Sequence, residues 1–234
     1  MIGVVVNAVA VFVGAAIGML LKKGFPEKLS ETIMKAMGLI TILIGIQSAI
    51  KTEDVLCVII CLVLGTVIGE LINIDKGINS LGDTLKAKLV KDNGKAGSFT
   101  EGFVSTCILF CVGSMTIMGS LEAGINHDYS ILFAKSTMDF ISSIVFASAL
   151  GFGVMCTSVF VLVFQGAITL LASALSNVLT EVAVVEMSAV GGVILLGLAV
   201  NILELYKNDK PIRVANMLPA IFLPPLYLWV TSLF

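Results

Sequence analysis

Apolar residues fill this chain in long blocks, and the polar residues gather between them. A helix needs about 20 predominantly apolar residues to cross the hydrocarbon of a bilayer. Eight stretches reach or approach that length: 2–21, 33–50, 54–73, 102–120, 129–150, 154–177, 183–204 and 213–233. A large soluble helical core would require polar faces on most of its helices, and those are missing. "GFGVM" at 151–155 divides the fifth and sixth stretches, which otherwise form one block, at a natural tight turn. The first stretch has no basic residue ahead of it, and Lys22–Lys23 follow it like a stop-transfer flank. It reads as a retained span rather than a cleaved signal. The expected fold class is an all-α polytopic membrane protein of about eight transmembrane helices, some of them broken or kinked.

Composition agrees with that class and narrows the chemistry. Of the 234 residues, 58% are hydrophobic and 13% charged, with a mean hydropathy of +1.07. A soluble domain is about a quarter charged. The net charge of −2 and the lack of a basic cluster interleaved with aromatics argue against a nucleic-acid partner. Cys57/Cys61 and Cys107/Cys111 are i,i+4 pairs inside apolar runs, and Cys156 stands alone. With no histidine beside them, they read as small packing residues. The one histidine, His127, lies in the loop "GINHDYS", so neither a metal nor a cofactor is expected.

Basic residues orient the spans. Lys22, Lys23 and Lys28 follow the first span, Lys76, Lys86, Lys88, Lys91 and Lys95 the third, and Lys207, Lys210 and Arg213 the seventh. With eight spans all three groups fall on one side, and the other side holds only Lys51. The positive-inside rule then makes the basic loops cytoplasmic and puts both termini outside. In the loop 75–101, Ile78, Leu81, Leu85 and Leu89 recur at helical spacing with lysines between them. That pattern predicts a short amphipathic helix on the cytoplasmic leaflet.

The chain also carries a faint internal likeness. "NAVAVFVGAAIGMLL" from residue 7 lies over "QGAITLLASALSNVL" from residue 165, and "KAMGLITILIGI" (35–46) over "SAVGGVILLGLA" (188–199). The two copies are separated by an odd number of crossings, so they would run in opposite directions. Inverted repeats of this kind recur in secondary transporters, with the binding site near the midplane. A duplicated scaffold would look the same. The expected organisation is a single membrane domain, 1–234: repeat one at 1–73, a cytoplasmic loop at 74–101, a two-span insert at 102–153 and repeat two at 154–234.

The candidate chemistry centres on the fifth span. Lys135, Ser136, Asp139, Ser142 and Ser143 share one helical face. Asp139 falls near mid-span, about 15 Å from either interface at 1.5 Å per residue, beyond rescue by snorkelling. A charge at that depth costs at least roughly 2.5–3.5 kcal/mol, so it should face protein or water. It is expected to bind a solute, ion or proton, with helix packing as the bland alternative. The sixth span offers Gln165, Thr169, Ser173 and Ser176 on one side, and the first span offers Asn7 with Gly14 and Gly18. Glu186, Glu70 and Glu31 near span ends are candidate gates, with simple hydration as the alternative. In the eighth span Pro219, Pro224 and Pro225 must kink or break the helix, and Asn216 is a candidate ligand beside the break. "GSMTIMGS" (113–120) permits the fourth helix to approach closely or unwind.

The pieces "NAVAVFVGAAIG", "PEK", "IGELI", "EAG", "AKSTMDF", "SAVGG" and "NMLPA" resemble the membrane proteins of domain-of-unknown-function family 554. The likeness spans essentially the whole chain. It implies a protein of the bacterial cytoplasmic membrane, of a group described as transport proteins, and it supplies no substrate. The family pattern is matched at Asn7, Pro26, Glu27, Glu70, Glu122, Lys135, Ser136, Asp139, Gly191, Gly192, Asn216 and Pro219. The leading expectation is a secondary transporter for a small polar solute or ion, working by alternating access. The alternatives are a channel and a non-transporting scaffold or sensor. An enzyme is disfavoured by the lack of HExxH, GxSxG or a Ser/His pair, and an ATP-driven pump by the lack of a P-loop. The lipid bilayer is the expected partner, and a homo-oligomer, most simply a dimer, is left open.

Overall fold

Besides helical residues at 74–77 and 80, eleven helical segments can be followed in the computed structural model, which describes residues 1–22, 27–77, 80, 96–111, 113–176, 178–206 and 210–233. They are α1 (Ile2–Lys22), α2 (Glu27–Ala49), α3 (Val55–Ile72), α4 (Ala96–Cys111), α5 (Ser114–Ile125), α6 (Ser130–Leu150), α7 (Phe152–Leu170), the single turn α8 (Ala172–Leu175), α9 (Glu181–Ile202), a 3-10 helix (Val214–Phe222) and α10 (Pro224–Thr231). Among the described residues there is no strand. Six of these segments, and the 3-10 helix and α10 taken together as Val214–Thr231, are long and apolar enough to cross a membrane, and the bent pair 102–111 and 115–125 makes an eighth span if counted as one. The amphipathic pattern at Ile78, Leu81, Leu85 and Leu89 lies outside the described residues.

Local chemistry explains the ends. Asp54 caps α3, its Oδ1 accepting from Leu56 N at 3.0 Å and Cys57 N at 3.2 Å, two of the donors that a helix start leaves free. Thr180 caps α9 by accepting from Ala183 N. Gly151, at φ 76°, makes the turn between α6 and α7 in the left-handed region that glycine tolerates best. Asp128 Oδ1 accepts from Ser130 N at 2.8 Å and Ser130 Oγ at 2.6 Å just ahead of α6. These bonds hold its carboxyl below the usual carboxylate range.

Three expected spans take a different shape. The fourth is not one helix over 102–120: α4 and α5 meet at Gly113 with a 58° bend. Thr116 Oγ1 donates to Phe110 O at 2.8 Å, recovering a carbonyl that the break sets free. The sixth ends at Leu170 rather than 177, because the chain turns at Leu171 into a single isolated helical turn; Ser173 is exposed there. The eighth is a 3-10 helix that contains Pro219, followed by α10 with Pro224 and Pro225 in its first turn. A missing N–H costs little at that position.

The segments pack in two groups. In one, α1 lies along α6 and α7, with α4 and α5 against α7. In the other, α2 packs on α9, and α3 on the 3-10 helix, which also touches α9. Small residues set the closest crossings: a Cβ on Gly18 would overlap the carbonyl oxygen of Ile144, and one on Gly69 that of Asn216. Such contacts let backbones meet where lipid supplies no hydrophobic drive between helices. They also fix direction. Gly3 faces Leu132 and Gly14 faces Ser143, so α1 and α6 are parallel; Gly38 faces Leu203 and Gly45 faces Gly192, so α2 and α9 are antiparallel. Both directions are those that eight crossings require. Large apolar side chains such as Leu20, Leu71 and Val163 remain exposed on the outer surface, where a bilayer would cover them.

Candidate functional site

Helical i,i+4 spacing brings Lys135 and Asp139 together on α6. Lys135 Nζ lies 2.9 Å from both Asp139 Oδ1 and Oδ2, and both residues are buried. Asn7 of α1 completes the carboxylate's shell, its Nδ2 donating to Oδ2 at 3.1 Å. The ammonium also stands 5.9 Å from the ring centroid of Phe110, within cation–π range. A carboxylate can only accept, so the Asn7 amide must present its nitrogen. That leaves Asn7 Oδ1 buried without a partner.

A cavity of about 180 Å³ opens against this pair, walled by Gln47, Ser48 and Lys51 of the α2 end, Phe110 and Thr116 of the α4–α5 break, and Met138 and Ser142 of α6. It lies on the seam between the two helix groups. The charges that touch it are Lys51, Lys135 and Asp139. This arrangement can bind a small polar solute, and the direct Lys–Asp contact allows either partner to be exchanged for a ligand charge. A polar site around Asp139 was expected among the first, sixth and eighth spans; its walls come instead from the second, fourth and fifth. The cause is steric: Gly14 and Gly18 draw α1 so close to α6 that the free volume lies on the other side.

The remaining candidates fall in several places. Ser136 Oγ donates to Leu132 O of its own helix at 2.7 Å. Ser143 faces Gly14, and its hydroxyl is unpartnered. Gln165 and Thr169 are buried on α7, also with unpartnered side-chain atoms. Asn216 is apart from the pair: its Oδ1 accepts from Asp75 N at 2.7 Å, tying the 3-10 helix to the chain beyond α3. Glu186 is 1% exposed and accepts from Thr52 Oγ1 at 2.6 Å, Glu53 N at 2.9 Å and Asp54 N at 3.3 Å, which makes it the tether of the α2–α3 turn. Glu70 pairs with Arg213 at 3.0 Å on the surface, and Glu31 is exposed. Cys57 and Cys61 lie with Sγ atoms 3.9 Å apart in the apolar core. Gln47, Ser48, Lys51 and Thr116 line the cavity and were not among the expected site residues. The i, i+1, i+4 polar run at the end of the second span was the signal for the first three.

Comparison with known proteins places the chain among membrane proteins. No solved structure matches the chain. It is 30% identical over 238 residues to the uncharacterized membrane protein YdfK of Bacillus subtilis (strain 168), covering 100% of this chain and 98% of that one. It is 33% identical over 226 residues to the uncharacterized protein YqgA of Escherichia coli (strain K12), covering 95% and 94%. The model of the family described as "Protein of unknown function (DUF554)" matches residues 2–229, and the chain belongs to that membrane-protein family.

Proposed function

We propose that this protein is a secondary transporter that moves a small polar solute or ion across the bacterial cytoplasmic membrane by alternating access. The observation that carries the reading is the seam cavity, with the buried Lys135–Asp139 pair on its wall. A buried ion pair is weak evidence for stability, since desolvation offsets most of its attraction, whereas ionisable groups inside a membrane mark solute and ion paths. Asp139 binds the coupling proton or cation, and Lys135 pairs with it when the site is empty or turns to an anionic substrate group.

The packing supports a moving seam. α1 runs antiparallel to α7, α2 to α9 and α3 to the 3-10 helix. An inverted repeat would make its related segments antiparallel in the same way, and repeats of that kind rock against each other around a fixed site. The large apolar cluster that includes Phe146 of α6 and Val190 and Leu195 of α9 spans both groups and favours an occluded site over a continuous pore. Both termini lie outside and the basic loops face the cytoplasm.

The test is uptake into proteoliposomes, screened with small carboxylates, amino acids and amines. Saturable uptake is expected, and Asp139→Asn should lower it by roughly ten- to a hundredfold, the worth of a charge-assisted bond. Uptake that grows linearly with solute and never saturates would point to a channel. Saturable uptake left unchanged by both Asp139→Asn and Lys135→Gln would overturn the role of the pair.

A further inference from the structure

Apart from Asn216, the buried side-chain atoms without a partner among the described residues are Asn7 Oδ1, Ser120 Oγ, Ser143 Oγ, Thr169 Oγ1 and both ends of the Gln165 amide. Burying a polar group unpaired is unfavourable, and Gln165 does so twice while fully shielded. Native structures rarely leave such groups together without a ligand or water to meet them.

Three of these residues come to one depth, on α1, α5 and α7, with α1 and α5 each packed against α7. The start of α4 lies beside the start of α7, with Phe103 against Gly153, and the end of α5 beside its end, with Gly124 against Thr169 and Ala172. The α4–α5 pair and α7 therefore run the same way, and Ser120, one turn before Gly124, comes level with Gln165. Met1 reaches Gly166, while Val11 and Val161 share an apolar cluster. These two meetings bracket Asn7 on α1 and Gln165 on α7. Thr169 follows Gln165 by one turn, and Asp139 is held by the other end of the Asn7 amide.

The donor set is chemically uniform: amide carbonyls and hydroxyls beside one carboxylate. Such hard oxygen ligands suit an alkali cation, whereas thiolate and imidazole select transition metals. Among the described residues no three His, Cys, Asp or Glu side chains gather as a metal cluster. Charge decides valence. Lys135 and Asp139 already cancel, so a monovalent ion leaves one net charge inside the bilayer and a divalent ion two.

The geometry points to a buried Na⁺-type site, in which Asn7 Oδ1, Gln165 Oε1 and the hydroxyls of Ser120 and Thr169 hold a monovalent cation with Asp139 as its countercharge. The site stands on the unpartnered side chains; its coupling to solute rests on the transporter reading. A cation behind Asp139 competes with Lys135 for the carboxylate and releases the ammonium toward the seam cavity. An anionic group bound there brings the four charges to zero, so each ligand favours the other.

The experiment is thermal unfolding of the full chain in detergent, followed by helical circular dichroism at constant ionic strength in NaCl, KCl or choline chloride. Na⁺ should raise the midpoint saturably, by about 5–10 °C at ~100-fold excess over its Kd, while K⁺ and choline do not. Gln165→Leu removes the unpaired amide, so it should raise the midpoint in choline and abolish the Na⁺ increment. Ser120→Ala should weaken apparent Na⁺ affinity by about tenfold. Coincident wild-type curves in NaCl and choline overturn the site, as does a Na⁺ increment that survives Gln165→Leu intact. Neither result bears on transport itself, which the Asp139→Asn uptake assay decides separately.

Discussion

Asp139 and Glu186 are both buried carboxylates, 4% and 1% exposed, and they are satisfied in opposite ways. Glu186 accepts three hydrogen bonds from neutral donors of one turn, with every partner fixed by the backbone of residues 52–54. Asp139 is met by a long flexible cation and an amide from another helix, and a cavity touches it. The first set of partners cannot be exchanged without unfolding the turn. The second can be exchanged for a ligand. Burial and charge alone therefore do not distinguish the two acids; the replaceability of their partners does.

Removing one member of the ion pair should have the largest effect. Lys135→Met should destabilise the protein by about 3–5 kcal/mol, since it leaves a buried charge uncompensated, and the added Asp139→Leu should recover most of that loss. Unfolding in mixed detergent micelles measures both, and the double variant should remain folded but inactive in uptake. A double variant that transports normally would make Asp139 as structural as Glu186. A smaller effect is expected at Glu186 itself. Glu186→Gln keeps an acceptor but loses charge-assisted strength, costing about 1–2 kcal/mol with uptake per folded molecule unchanged. A loss of uptake beyond the loss of folded protein would restore Glu186 as a gate.

The smallest effect belongs to an exposed acid. Asp128 has its carboxyl held below the ordinary range by Ser130, so its contribution is present above the unfolded-state value and fades as pH falls through the folded-state value. Asp128→Ala should be slightly less stable than wild type near neutrality, and the two should converge in acid. A gap independent of pH would mean that the side chain packs rather than caps.

Much of this was legible in the sequence, and the limits have a physical origin. Span limits follow from runs of apolar residues, and the stretch 129–150 differs from α6 by one residue at its start. The i,i+4 pair is local to one helix, so its contact needs no tertiary knowledge. The small residues of "GSMTIMGS" and the prolines of the eighth span mark places where backbone bonds are lost, and the helices break there. What stayed hidden was the rotation of each helix about its axis. An element apolar on every side has no preferred face to turn inward, so Gln47 and Ser48 read as a span end rather than a cavity wall. Asn216, matched by its polarity to Asp139, is instead claimed by Asp75 N, a partnership set by the approach of the 3-10 helix to Gly69.

That the cation and the carboxylate share one helix matters during biogenesis as well. A segment inserted from the translocon must settle before its neighbours have assembled, and a lone carboxylate at its centre would oppose that step. Lys135 and Asp139 need only one turn of helix to find each other, so α6 can enter the hydrocarbon as a formally neutral segment. Asn7, synthesised earlier on α1, then has only to dock. A pair split between two helices would have made insertion wait on assembly.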